Sequence, residues 1–112
     1  MDVQEQVQIV LEWSDQQWRL CGEVDGPLTI GADTHQDVCV DRAYISRRHA
    51  HIERHKGTYV LVDHSTNGSF VQTEDQHVAF VHRDRLRLWG RGLISFGEPP
   101  RTDCVMQFQL VP

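Results

Sequence analysis

Two polar runs hold the residue types best suited to chemistry: Ser46-Arg47-Arg48-His49 and Asp63-His64-Ser65-Thr66-Asn67-Gly68-Ser69. Together they bring hydroxyls, guanidinium groups and a side-chain amide to the mouths of short apolar alternations. An arginine fork supplies charge-assisted donors that match phosphate or carboxylate oxygens. A serine hydroxyl on a loop adds a further donor. The chemistry this combination points to is the holding of an anion, and no other stretch of the chain matches it.

The charge distribution fits that reading. The 112 residues carry a formal net charge of −5, so the overall field does not favour nucleic acid. The bases are clustered instead. Arg42, Arg47, Arg48, Arg54 and Lys56 stand against a single acid, Glu53, over residues 42–56. A second run holds Arg83, Arg85, Arg87 and Arg91 with Asp84 among them. An acidic protein with a local basic mouth suits a small anionic group better than a long polyanion. No apolar run approaches the roughly 18 residues that cross a membrane, and the N-terminus lacks the basic flank and apolar run of a signal peptide. The cysteines, Cys21, Cys39 and Cys104, are odd in number and form no C-x-x-C pair. They read as reduced thiols in a reducing, cytoplasmic compartment.

The elements that must position these runs read as strands. Val7, Ile9, Leu11 and Trp13 alternate with Gln8, Val10 and Glu12, a period-2 pattern. A helix over residues 3–11 is the weaker alternative, because Val3, Val7, Val10 and Leu11 also fit helical spacing. A turn at residues 14–17 leads to a second strand with Trp18 and Leu20 on one face. Asp25-Gly26-Pro27 is turn chemistry. Leu28-Thr29-Ile30-Gly31 is a short strand, and Val38-Cys39-Val40 a brief apolar return. Ala50 and Ile52, then Tyr59 and Leu61, read as inward positions of two strands around a hairpin at residues 55–58. Phe70 and Val71 begin another strand, with residues 72–76 as loop. Further strands carry Val78, Phe80 and Val81, then Leu86 and Leu88. Trp89-Gly90-Arg91-Gly92 is a tight turn before Leu93-Ile94-Ser95-Phe96. A last strand over 105–111 sets Met106, Phe108 and Leu110 on one face. About ten short strands, no convincing helix and a turn signal about every 8–12 residues predict an all-β antiparallel sandwich or barrel. A single domain over residues 1–112, with its core at about 7–111, is the natural organisation.

Gly31, Ser46-Arg47-Arg48-His49 and Ser65-Thr66-Asn67-Gly68-Ser69-Phe70-Val71 resemble, in order and spacing, the forkhead-associated (FHA) domain family. Its pattern runs G-R, S-x-x-H, then S-T-N-G-[ST]-[FWY]-[VL]-N-G. A lone S-x-x-H is weak; joined to S-T-N-G-S-F-V sixteen residues after His49, it is specific. The resemblance covers about residues 28–96. It implies an antiparallel β-sandwich of about eleven strands with recognition loops at one end. It implies a signalling module that binds phosphothreonine in a protein or peptide, not an enzyme, and one that needs no cofactor. By resemblance, Ser46, Arg47 and Thr66 touch the phosphate. Asn67 hydrogen-bonds the peptide main chain on both sides of the phosphothreonine, and Arg48 also belongs to the peptide side. Gly31, His49, Asp63 and Gly68 take structural roles: close backbone approach, a bridge between loop bases, a loop cap and a positive-φ turn. A small pocket for the γ-methyl group selects threonine over serine by about 1 kcal/mol or somewhat more. Two positions depart from the pattern. The family's Gly-Arg is Gly31-Ala32, and its second Asn-Gly is Gln72-Thr73. Loss of one charge-assisted hydrogen bond costs about 1.5–3 kcal/mol, roughly 10- to 100-fold in affinity. Arg42 and Arg48 are the neighbouring bases available to replace it.

Other readings compete less well. Ser46, His49 and Asp63 make a hydrolytic triad on paper, but no nucleophile elbow or oxyanion hole accompanies them. Among His35, His49, His51, His55, His64, His77 and His82, the pair His49 and His51 reads as sharing a strand face with His64 close by. With no cysteines at ligand spacing, these are surface and core histidines rather than a metal site. Arg83, Arg85, Arg87 and Arg91, interleaved with Leu86 and Leu88, read as the solvent face of a strand rather than a nucleic-acid surface. Residues 86–97, LRLWGRGLISFG, are similar to the far end of FHA domains attached to bacterial class III nucleotide cyclases. That supports the alternative function, a phosphate-independent regulatory domain with a cyclase or kinase domain as partner in cis or in trans. Neither reading calls for nucleic acid or a membrane as partner.

Overall fold

The period-2 apolar alternations become strands, and no helix forms among the described residues. The computed structural model describes residues 7–21, 26–101 and 105–112. Its strands are β1 (Gln8–Trp13), β2 (Gln16–Cys21), β3 (Leu28–Gly31), β4 (Val38–Cys39), β5 (Ala50–His55), β6 (Thr58–Asp63), β7 (Ser69–Thr73), β8 (Val78–Val81), β9 (Arg85–Leu88), β10 (Arg91–Phe96) and β11 (Met106–Val111). One sheet has the order β2-β1-β11-β10-β7-β8 and the other β4-β3-β5-β6-β9. The pairings are antiparallel apart from the short parallel pair β3–β4.

Alternate residues of facing strands close the core between the sheets. Ile9, Leu11, Ile30, Ile52, Tyr59, Leu61, Ile94 and Met106 are each fully buried. The Tyr59 hydroxyl reaches the carbonyls of Val7 at 2.7 Å and Leu20 at 3.2 Å, tying β6 to the opposite sheet. The β5–β6 hairpin turns at Lys56 and Gly57, with φ of +51° and +77°. Two left-handed residues in succession give the turn whose twist matches the flanking strands.

Several expectations change. Ile9 and Leu11 are buried while Glu12 is exposed, so residues 8–11 are strand and the helical alternative fails there. Val3, Asp25 and Cys104 lie outside the described residues. Strand β7 runs on to Thr73, so residues 72 and 73 are not loop. The turn after Leu88 is confined to Trp89 and Gly90, because Arg91 already belongs to β10. It joins strands of different sheets and is not a hairpin.

Candidate functional site

The loops at one end of the sandwich are held by main-chain contacts. After β3, Ala32 N–H donates to the Ser46 carbonyl (3.0 Å) and Asp33 N–H to that of Arg47 (3.2 Å). His49 N–H returns to the Ile30 carbonyl at 2.9 Å. Gly31 lies inside this strap: a Cβ there would sit 2.1 Å from the Arg47 carbonyl oxygen and 2.8 Å from its carbon. The close approach leaves room for hydrogen alone.

His49 joins the two polar runs. Its Nδ1 lies 3.0 Å from the Ser46 amide nitrogen, which can only donate. Nδ1 is therefore the acceptor, and Nε2 carries the hydrogen and donates to the Gly68 carbonyl at 2.8 Å. The same carbonyl accepts from Gly97 N–H at 2.8 Å. The imidazole is fully buried, edge-on to Phe96 with centroids 5.4 Å apart. The paper triad is not assembled: the Ser46 hydroxyl accepts from Thr66 N–H at 3.1 Å instead of meeting His49.

Asp63 organises the second run from beneath. Its side chain is buried and accepts from Ser65 N–H (3.0 Å), the Ser65 hydroxyl (2.9 Å), the Ser69 hydroxyl (2.6 Å) and Arg83 N–H (2.9 Å). Burial pushes its pKa up, but these hydrogen bonds together hold it below the ordinary carboxylate value. The Ser65 hydroxyl also accepts from Gly68 N–H at 2.7 Å. Gly68 takes a φ of +87°. The loop so formed displays Thr66 and Asn67 in solvent, and Asn67 Nδ2 donates to the Tyr44 carbonyl at 3.1 Å.

The FHA domain family's sequence model matches residues 28–97. The chain belongs to the FHA domain family. Solved structures share its fold. The Rv1747 FHA-1 domain of Mycobacterium tuberculosis superposes with a TM-score of 0.74 at 17% identity, over 96% of this chain and 99% of that one. The N-terminal FHA domain of Rad53p from S. cerevisiae, in complex with a phosphothreonine peptide, gives 0.65 at 15% identity, over 93% and 90%. Mycobacterium tuberculosis EmbR, in complex with a low-affinity phosphopeptide, gives 0.64 at 26% identity; the match covers 93% of this chain and only 24% of EmbR. No curated protein matches the sequence.

In this FHA domain Ser46, Thr66 and Asn67 are brought to one rim, with Gly31, His49, Asp63 and Gly68 beneath them. Arg47 and Arg48 are exposed, and Arg47 lies 3.8 Å from Asp33 Oδ2. Asp33 is a residue the sequence reading did not single out. The His35 backbone N–H, then the nearby His35, Arg47 and Arg48, hold its carboxyl below the ordinary range. The second basic run is dispersed. Arg83 Nε donates to the Ser65 carbonyl at 3.2 Å, Arg85 pairs with Glu53 at 3.1 Å, and Arg91, on β10 in the other sheet, lies 3.8 Å from Glu74 in the turn between β7 and β8.

One histidine expectation is overturned. His49 and His51 do not share a face, because β5 begins only at Ala50 and the His49 ring turns inward under the loops. His51 is instead stacked on His64, with Nδ1 to Nε2 of 2.8 Å. Among the described residues no group of three His, Cys, Asp or Glu is placed to hold a metal ion.

The histidines give an acid response. Burial lowers the His49 pKa, outweighing the Gly68 carbonyl and Asp63. Burial, then His64, lowers that of His51. The unfolded chain therefore takes up these protons first as pH falls through about 6.5, and stability is lost from there down to the folded-state values. The thermal midpoint, followed by circular dichroism, should fall as the pH drops below about 6.5; a constant or rising midpoint would contradict this account.

Proposed function

We propose that this FHA domain is a phosphothreonine-peptide recognition module, acting as one unit over residues 1–112. Ser46, Arg47 and Thr66 take the phosphate, and Asn67 and Arg48 take the peptide. The observation that carries the reading is the coupling of the two loops. His49 spans from Ser46 to Gly68, and the Ser46 hydroxyl meets Thr66 N–H. The Ser46 hydroxyl and the loop bearing Thr66 and Asn67 are thus held against each other before any ligand arrives, with the exposed Arg47 beside them, which lowers the ordering cost of binding. The Rad53p and EmbR domains in their phosphopeptide complexes support the same chemistry. The similarity of residues 86–97 to cyclase-linked domains has a packing explanation: Leu88, Ile94 and Phe96 are core residues, and Gly97 serves the Gly68 carbonyl. We place the domain in the cytoplasm; the free thiol of Cys39 fits a reducing compartment. Among the described residues no helix is long and apolar enough to cross a membrane.

Calorimetric titration with phosphothreonine, phosphoserine and unphosphorylated forms of one peptide tests the proposal. The phosphothreonine form should bind best, with phosphoserine about fivefold weaker for one lost methyl contact. Asn67→Ala should lose about tenfold through its main-chain hydrogen bonds. Ala32→Arg, which restores the family arginine beside Asp33, should gain 10- to 100-fold. Equal binding of phosphorylated and unphosphorylated peptides would sink the phosphate assignment.

A further inference from the structure

Strand β8 is an edge without the usual protection. Among the described residues it is the outermost strand of its sheet, and its sequence Val78-Ala79-Phe80-Val81 has no charge and no proline. The other edges are blunted in ways that discourage pairing: β2 carries Arg19, β4 is two residues long, and β9 carries Arg85 and Arg87.

The backbone of β8 faces outward at two known positions. Thr73 N–H donates to the His77 carbonyl at 3.0 Å, which makes Thr73 and His77 a hydrogen-bonded pair. Counting along the β7–β8 register, Val71–Ala79 and Ser69–Val81 are the next hydrogen-bonded pairs. Gln72–Val78 and Phe70–Phe80 are the non-bonded ones. In an antiparallel ladder the residues of non-bonded pairs turn N–H and C=O away from their partner strand. Val78 and Phe80 therefore present these groups to the open edge.

The same two residues carry an apolar stripe on the outer face. Val78 is 50% exposed and Phe80 57%. The Phe80 ring lies 5.0 Å from Phe70 and 5.8 Å from His82. The stripe ends at the recognition loop, because a Cβ on Gly68 would be 2.3 Å from Phe80 Cε1. Gly68 follows Asn67, the proposed peptide grip.

We propose that β8 binds, by strand addition, an extended segment of the same phosphothreonine-bearing partner, with apolar side chains at alternate positions. The proposal rests on the reading of the rim given above. Main-chain hydrogen bonds to Val78 and Phe80 supply affinity, and the stripe selects apolar residues every second position. At about 3.3 Å per residue, a chain leaving Asn67 reaches Phe80 within a few residues and covers β8 with about five more. A second copy of this chain is disfavoured, since a four-residue edge falls far short of the roughly 20–30 residues a side of a stable interface.

Four labelled peptides test this: a short phosphothreonine peptide, the same extended by Val and Ile alternating with Ser, the same extended by Ser and Asn, and the apolar extension without its phosphate. Fluorescence anisotropy on the wild-type chain should show the apolar extension binding about tenfold tighter than the polar one. Val78→Pro removes an outward N–H without touching the β7 ladder, and should abolish that gain while leaving the short peptide unaffected. Val78→Lys serves the same end where proline disturbs the strand. In the wild-type complex, exchange of the Val78 and Phe80 amides should slow. Apolar and polar extensions within twofold of each other, or a gain that survives both variants, would overturn the edge assignment. So would sedimentation showing a Val78-dependent dimer in place of peptide binding. If the apolar peptide binds equally with and without phosphate, and loses affinity in Val78→Pro, the edge stands and the phosphate reading falls. If no peptide binds, both fall.

Discussion

Replacement of Asp63 by alanine is expected to destabilise the domain by about 3–5 kcal/mol. The carboxylate accepts hydrogen bonds from the Ser65 amide and hydroxyl, the Ser69 hydroxyl and the Arg83 amide, and it is buried. Alanine would leave those donors without a partner in a site that water does not reach. Each unsatisfied buried donor costs about 1–3 kcal/mol, and partial relaxation of the loop keeps the total below the full sum. A loss of 3 kcal/mol is a large share of the 5–15 kcal/mol typical of a domain. It should lower the melting temperature by more than 10 °C. Asp63→Asn should not rescue it, since the amide NH2 would point a donor at donors. The carboxylate also adds to the acid response. Its depressed pKa contributes stability above the unfolded-state value of about 3.9, which is lost as pH falls toward the folded-state value. Urea unfolding monitored by tryptophan fluorescence is the check; a change below 1 kcal/mol would mean that the buried network is not a unit.

Gly31→Ala is the second large effect, with a different origin. The φ of Gly31 is not in the left-handed region, so alanine is conformationally acceptable and any cost is steric. The added methyl would meet the Arg47 carbonyl oxygen at 2.1 Å, its carbon at 2.8 Å and the His49 nitrogen at 3.0 Å. All three atoms are main chain and cannot rotate away. Relief requires the strap to open, with loss of the Ala32–Ser46 and Asp33–Arg47 hydrogen bonds. Overpacking of this kind costs about 1–3 kcal/mol or more. Gly26 is the control: φ is +66° but a Cβ there would meet nothing within 4 Å, so alanine should cost no more than about 1 kcal/mol. Amide exchange at Ala32 and Asp33 should accelerate at least tenfold in Gly31→Ala. Unchanged exchange would show that the loop accommodates the methyl elsewhere.

Much of the sandwich was legible because burial on one face writes a period of two into the sequence. Ile9 with Leu11, Ala50 with Ile52, Tyr59 with Leu61 and Met106 with Phe108 all point into the core. Pairing was less legible, since it is set by distant partners. Nothing in Val38 or Cys39 announces a parallel neighbour in β3, and the turn at Trp89-Gly90 does not reveal that it changes sheets. Nor does the alternation in β8 say that the face bearing Val78 and Phe80 is left uncovered.

At the site, residues adjacent in sequence were legible as a group: Ser46 with His49, and Thr66 with Asn67. The contacts that were not legible run through the main chain or through residues of ordinary type. The Asn67 side chain ends on the main-chain carbonyl of Tyr44, and the Gly97–Gly68 contact is main chain on both sides. Asp33 comes beside Arg47 only because the strap folds the β3–β4 loop back onto it. The family departure at Ala32 therefore reads differently in three dimensions. The position lacks its arginine, and the next residue sets a carboxylate near the arginine that remains.

The central claim is that two loops, fixed to each other through His49, form one phosphothreonine site. The most direct measurement is an amide chemical-shift titration of the 15N-labelled chain with a phosphothreonine peptide and its unphosphorylated twin. The expected result is a saturable response of the Ser46, Arg47, Thr66 and Asn67 amides, all with one dissociation constant and only with the phosphorylated peptide. Responses confined to one loop, responses with two different constants, or the same response to both peptides would contradict it.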